Sequence, residues 1–255
     1  MSIFMYTSPP VKCHEYFPEN KKGSDFFVGD LHGAFKELQQ LLKQINFNFS
    51  SDRLFATGDL IDRGNDSLKC LKLLNQDWFF SVLGNHELFL LEYDDDNLYK
   101  NMIWKKNGGS WFHSITDEEK ILSRQLIVNN MKLTLTINTR MGLVGIIHAE
   151  YPFRTWPKED LSEFNKELLH QALWGRNIIK NKLVFYTKGA KLIISGHTSV
   201  ALPVLLGNQL FLDTGAGSPP NESIYSPRLS ICEVSEKHLK LHSLGYEPKY
   251  ISIDV

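Results

Sequence analysis

An α/β fold of two packed mixed β-sheets flanked by helices is predicted for this 255-residue chain, and three observations carry it. Short apolar runs of buried-strand type alternate with helical periodicity in the first third. Apolar residues alternate with polar ones further on, which marks antiparallel strands. No internal repeat and no Ser/Gly-rich linker interrupts the chain, so a single domain is expected over 25–255, behind an irregular, aperiodic arm at 1–24.

The elements follow in order. Phe26-Phe27-Val28 is a buried-strand run, and Phe35, Leu38, Leu41, Leu42 and Ile45 then recur at helical spacing. Leu54-Phe55-Ala56-Thr57 repeats the strand, with Leu68, Leu71 and Leu74 marking a second helix. Trp78 through Leu83 supplies a third strand. This order predicts βαβ units and a largely parallel stretch of sheet. Residues 93–128 are expected to form a helical insertion at the edge, because Thr116-x-x-Glu119 is a capping box opening a helix to about Ile127. Leu133, Leu135 and Ile137, and later Leu239 and Leu241, alternate as half-buried strands; Leu143–Ile147 and Leu192–Ile194 read as buried ones.

Composition excludes several classes. With 42% apolar and 22% charged residues the chain reads as soluble and globular. Twenty-eight basic against 29 acidic residues give a net charge of −1, so the basic surface of a non-specific nucleic-acid binder is missing. Cys13, Cys70 and Cys232 are too few and too dispersed for a disulfide framework or a thiolate zinc site, and a reducing, cytoplasmic location is expected. The apolar run Met1–Tyr6 meets Pro9-Pro10 too soon for a signal peptide. No stretch approaches the roughly 18 apolar residues of a membrane span.

The chemistry-bearing residues share one position. Asp30 and His32, Asp59, Asn85 and His86, His148, and His197 each follow a separate apolar strand. Strand C-terminal ends in α/β sheets converge on one crevice, so these residues are expected in one site. Oxygen and imidazole donors without thiolate favour Mn²⁺, Fe²⁺ or Zn²⁺, and their number suffices for two ions bridged by a carboxylate. Adjacent glycines such as Gly29, Gly58 and Gly196 permit sharp turns.

Gly29-Asp30-Leu31-His32-Gly33, Gly58-Asp59-Leu60-Ile61-Asp62-Arg63-Gly64 and Gly84-Asn85-His86-Glu87 resemble the three signatures of the PPP family of metallophosphatases. Ile147-His148-Ala149 and Ser195-Gly196-His197-Thr198 fall where that family places its last two histidine ligands. Five motifs in order are a specific signal. The resemblance spans about residues 25–217 and is strongest to small bacterial and bacteriophage serine/threonine/tyrosine protein phosphatases, which implies the calcineurin-like sandwich. It also implies that Asp30, His32 and Asp59 hold one divalent cation and Asp59, Asn85, His148 and His197 a second, manganese being favoured over iron or zinc. The attacking group would be a hydroxide bridging the two. His86 would protonate the leaving oxygen, Asp62 would orient His86, and Arg63 and Arg176 would grip phosphate oxygens. Arg176 lies in the short Leu173-Trp174-Gly175-Arg176 match.

The duller readings concern the remaining polar residues. His14, His113, His170, His238 and His242 lack a ligand motif and read as surface or packing residues. Asp94-Asp95-Asp96 reads as a solvated loop or cap, and Asp213 either as a support for the site or as a turn. Trp104 and Trp111 flank Gly108-Gly109 and read as core packing, with a substrate-groove lining as the alternative.

The expected activity is hydrolysis of phosphoserine or phosphothreonine, and of phosphotyrosine as well, in a phosphoprotein or phosphopeptide. No nucleic acid, membrane or regulatory subunit is expected as partner. Two rivals stand beside it. A symmetrical dinucleoside-tetraphosphate hydrolase shares the metal motifs but typically resembles Gly-Asp-Leu-Val-Ala-Arg-Gly and Gly-Asn-His-Asp where this chain has Asp62 and Glu87. A catalytically silent metal-bound binding module would not need His86, Asp62 and Arg63 together. Ala149-Glu150 replaces the paired glycines of the eukaryotic branch, and Asn221–Ser226 stands where its C-terminal Ser-Ala-Pro-Asn-Tyr-Cys segment would be, so the regulation of that branch is not expected.

Overall fold

Side chains alternate across a strand, and that period of two sorts the apolar residues into layers. Along β2 (Asp25–Val28), Phe27 enters one apolar layer while Phe26 and Val28 enter another. In β3 (Arg53–Ala56), Phe55 joins Phe27, and Leu54 and Ala56 join Phe26. The computed structural model, which describes residues 11–252, resolves this pattern into two six-stranded sheets.

One sheet runs β12 (Lys249–Ser252), β11 (His238–Ser243), β10 (Ser230–Val234), β2, β3, β4 (Phe79–Ser81). The other runs β1 (Lys12–Phe17), β5 (Lys132–Thr139), β6 (Gly142–Ile147), β7 (Leu192–Ser195), β9 (Gln209–Phe211), β8 (Val204–Leu206). Strands β2, β3 and β4 are parallel, as the βαβ reading requires, whereas β10 is antiparallel to β2. Phe27, Phe55, Val144, Ile146, Leu192, Ile194 and Leu239 form the layer between the sheets. Helices α1 (Phe35–Gln44), α2 (Ser67–Lys72) and α5 (Asp117–Asn130) cover the outer face of the first sheet, and α6 (Lys166–Trp174) covers the second.

Helix α1 shows what holds such an element. Its N-cap, Ala34, offers no side-chain acceptor, a deficit of about 1 kcal/mol. Burying Leu38, Leu41 and Leu42 contributes about 2 kcal/mol each, so packing outweighs the missing cap.

Three expectations are corrected. The irregular arm at 1–24 contains a strand, for Lys12–Phe17 form β1, parallel to β5 from Lys12 opposite Lys132 to Phe17 opposite Ile137. Of its side chains only Cys13 and Phe17 are buried, Phe17 against Phe55 and Phe80 at 5.1 and 4.6 Å between ring centroids. An edge strand held by backbone bonds leaves little hydrophobic pattern. Residues 1–10 of the arm lie outside the described residues. The alternation at 133–137 marks a strand buried on both faces, because Trp156 covers the polar face and donates its indole N–H to Thr136 at 2.7 Å. The Thr116–Glu119 capping box is reciprocal, with bonds of 3.2 and 3.1 Å, but α5 continues to Asn130; the exposed side of its last turn accepts the polar Asn129 and Asn130.

Within 93–128 the structure has α4 (Leu98–Lys106), a 3₁₀ segment at Gly109–Ser114 and most of α5. Tyr93, Trp104 and Phe112 pack ring to ring at 5.1–5.7 Å. Among the described residues, no helix is long and apolar enough to cross a membrane.

Candidate metal centre and phosphate pocket

The C-terminal ends of β2, β3 and β4 from one sheet and of β6 and β7 from the other deliver their loops to one edge of the sandwich. The backbone there is strained: His32, Asp59, Asp62, Arg63 and His197 all have φ between 42° and 74°. Non-glycine residues rarely adopt this left-handed region, and such strain persists where surrounding bonds over-determine it. The Asp59 carbonyl accepts the Leu31 and His32 N–H groups at 3.1 and 2.8 Å. Glu87, in α3 (Asn85–Leu91), takes the N–H groups of Asp59, Leu60 and Gly84 at 3.0, 2.7 and 2.9 Å. Burial, followed by the Asp59 charge, pushes its carboxyl up to about 8.

Asp59 is at the centre. Its Oδ2 lies 3.6 Å from His32 Nε2, 3.8 Å from His86 Nε2 and 3.5 Å from His148 Nε2. His148 Nε2 in turn lies 2.9 Å from Asn85 Oδ1 and 3.2 Å from His197 Nδ1. Two groups have donor atoms close enough to share an ion: His32, Asp59 and His86, and Asp59, His148 and His197.

The donor chemistry fits cations. His148 Nδ1 bonds the Thr57 carbonyl at 2.8 Å and His32 Nδ1 the Ile61 carbonyl at 2.9 Å. A carbonyl only accepts, so each Nδ1 carries the proton and each Nε2 presents a lone pair when the ring is neutral. Burial lowers the pKa of both rings and of His197, which keeps them neutral at pH 7. The His148 lone pair therefore faces the oxygens of Asn85 and Asp59, a convergence of acceptors that calls for positive charge. Among the described residues, His197 Nε2 is buried without a hydrogen-bond partner.

Asp30 differs from this group. Its carboxylate accepts the Thr57 hydroxyl at 2.7 Å and the His197 N–H at 2.8 Å, bracing the second sheet's loop against the first. Asp213 accepts the Ser199 hydroxyl and the Gly215 N–H at 2.6 and 2.7 Å, and its charge, after burial, helps to raise the Asp30 pKa.

Beside the Asp59 cluster is a cavity of about 330 Å³ whose walls include Arg63, Asn85, His86, Arg176 and His197. His86 Nδ1 meets Asp62 Oδ2 at 2.6 Å, while its Nε2 lies 3.4 Å from an Arg63 terminal nitrogen. Burial alone would lower the His86 pKa, but the Asp59 and Asp62 carboxylates outweigh it and hold it above the usual value. Arg63 also donates to Ser218 at 3.2 Å, and Arg176 to Thr198 at 3.5 Å. Burial and then the nearby Arg63 cation lower the Arg176 pKa, so the pocket holds positive charge whose repulsion an anion would relieve.

Several participants lie beyond sequence reasoning. Glu150 is buried, and its Oε1 accepts the Ile178 N–H in the first turn of α7 (Asn177–Asn181), whose N-cap is Arg176. Its only signal is the departure from paired glycines after His148. His170, read as a surface or packing residue, stacks on Trp174 at 5.5 Å and lines the cavity. Trp104 and Trp111 are absent from the cavity wall and donate instead to Asp62. Asp94 behaves as a loop residue, accepting the Asp96 N–H at 3.1 Å.

The two-sheet sandwich with a histidine- and carboxylate-rich centre at its strand ends defines a metallophosphoesterase. The chain belongs to the calcineurin-like phosphoesterase family, whose pattern matches residues 26–201, and it is a phosphoester hydrolase. Serine/threonine-protein phosphatase 2 of Salmonella typhimurium is 33% identical over 207 residues, 78% of this chain and 90% of that protein. The symmetrical bis(5'-nucleosyl)-tetraphosphatase of Actinobacillus pleuropneumoniae is 52% identical, but over 68 residues, 26% of this chain and 25% of the relative. The cold-active protein-tyrosine phosphatase of a Shewanella species shares the fold, with a TM-score of 0.53 and 16% identity over 94% of this chain and 83% of that one.

Proposed function

We propose that this protein hydrolyses phosphate monoesters of serine and threonine, and of tyrosine as well, in proteins or peptides, using two divalent cations with manganese preferred. The observation that carries this reading is the His86–Asp62 pair at 2.6 Å, with His86 Nε2 facing the cavity beside both Asp59 and Arg63. Such a pair protonates a departing alkoxide or phenoxide. The relative named as a serine/threonine-protein phosphatase, aligned over most of this chain, supports the same substrate class.

Asp30, His32 and Asp59 would hold one cation, and Asp59, Asn85, His148 and His197 the other. When bound, these ions supply acidified water and positive charge beside the phosphate. Arg63 and Arg176 hold non-bridging phosphate oxygens and turn the ester oxygen toward His86 Nε2. His86 keeps its Nδ1 proton on Asp62 and releases its Nε2 proton to the leaving oxygen. The buried shell around Asp59 keeps bulk water from competing for these groups.

The second reading, a symmetrical dinucleoside tetraphosphatase, is favoured by the 52% identity of the 68-residue segment. Steady-state hydrolysis of p-nitrophenyl phosphate, a phosphothreonine peptide and diadenosine tetraphosphate by metal-stripped protein, with and without Mn²⁺, separates the two. Manganese-dependent turnover of the monoesters, with the dinucleotide poor, is expected. A dominant dinucleotide activity would replace the first reading with the second.

A further inference from the structure

Asp62 receives more than His86. Trp104 Nε1 donates to Asp62 Oδ2 at 2.7 Å, the oxygen that also meets His86 Nδ1, and Trp111 Nε1 donates to Asp62 Oδ1 at 2.7 Å. Asp62 is fully buried and Trp104 nearly so. Its backbone N–H is also tied down, to the Ser67 hydroxyl at 2.9 Å. Both indoles come from the helical segment after α3, not from the strand-end loops that carry the other site residues.

The segment is shaped for this contact. Gly108, at φ 106°, lies against the Arg63 backbone, where a Cβ would collide with the Arg63 nitrogen. A Cβ on Gly109 would fall on the Trp104 indole. Asp62 and Arg63 are consecutive residues at φ 74° and 62°. A two-residue left-handed turn without glycine needs bonds that fix it, and the two indoles fix the side chain that sets the His86 ring.

We propose that Trp104 and Trp111 are positioning residues for leaving-group protonation: their indole N–H groups lock the Asp62 carboxylate in the one orientation that aims His86 Nε2 at the ester oxygen. The proposal rests on the reading of His86 as general acid. Indole fits the task because its N–H donates without being able to accept or titrate, so it steadies the carboxylate without competing for the His86 proton. Carboxylate bonds of this charge-assisted kind are directional and strong, so the loss of one frees the pair to rotate.

The experiment compares leaving groups, since general acid catalysis matters most when the departing oxygen is basic. Trp104→Phe and Trp111→Phe keep the ring and remove the donor. Each variant, loaded with Mn²⁺, is assayed on a phosphothreonine peptide and on p-nitrophenyl phosphate, with bound manganese and circular dichroism measured in parallel. Turnover of the alkyl ester is expected to fall roughly tenfold further than turnover of the aryl ester, at unchanged metal content. Equal losses on both substrates, or none, in a folded and metal-loaded Trp111→Phe variant would overturn the proposal. That variant decides the matter if Trp104→Phe does not fold. His86→Ala is the reference: if it too shows no leaving-group dependence, the general-acid reading falls and the tryptophan role falls with it. If His86→Ala discriminates and both tryptophan variants do not, only the tryptophan role is wrong.

Discussion

At the scale of single residues, substitutions at His86 and Asp59 test whether proton transfer and metal binding fall on different side chains. His86→Ala is expected to keep metal content yet slow alkyl ester turnover by roughly 10² to 10⁴. Because His86 Nε2 lies only 3.8 Å from Asp59 Oδ2, retained metal is the discriminating result; loss of an ion would make His86 a ligand. Asp59→Asn removes the negative charge and one ligating oxygen at the point where both donor groups meet, and metal analysis is expected to show loss of metal with loss of activity. Two tightly held ions in that variant would refute its bridging place. The strand-end residues were legible because each follows an apolar run and carries a motif; Asp62 and Arg63 were legible through their place beside Asp59. Glu150 and the two tryptophans carry no motif, since their partners are 28, 42 and 49 residues away in the chain and only folding brings them together.

At the scale of elements, Glu150 couples β6 to the short helix α7. Glu150→Ala removes the acceptor at Ile178 and should let Arg176 drift, lowering kcat/KM for a phosphothreonine peptide roughly 10- to 100-fold. Glu150→Gln keeps an acceptor and should retain most of it; equal damage in both variants would argue against this role. Strand β1 offers a test far from the site. His14 bonds Thr134 at 2.9 Å, and burial lowers its pKa. As pH falls, the unfolded chain takes up the proton first, so this part of the stability is complete above about pH 6.5 and is lost below it. Urea titrations across that window should show stability falling with pH, with a shallower slope in His14→Gln. The βαβ half was legible because buried parallel strands and amphipathic helices have distinct periods. Strand β1 was not, since only Cys13 and Phe17 turn inward, nor was the full burial of β5, which depends on Trp156 arriving from 20 residues beyond Thr136.

At the scale of the molecule, an ion that binds the folded chain and not the unfolded one raises the melting temperature in proportion to the logarithm of its concentration. Chelator-treated protein is therefore expected to melt lower than protein titrated with Mn²⁺. Identical melting curves would mean that the cluster around Asp59 holds no ion tightly. The two-sheet architecture itself was foreseeable from strand types, but the seating of one sheet on the other was not, because it is set by the interdigitation of Phe27 and Phe55 with Ile146 and Ile194.

That seating gives the centre a mechanical meaning. Asp59 and Asn85 arrive from β3 and β4, whereas His148 and His197 arrive from β6 and β7 of the opposite sheet. An ion shared among them is a rivet through the rim of the sandwich. Amide hydrogen exchange should then slow together in β3 and β7, strands that share no backbone hydrogen bond, whenever the rivet is in place. Substrate would meet a rim whose two halves no longer breathe independently.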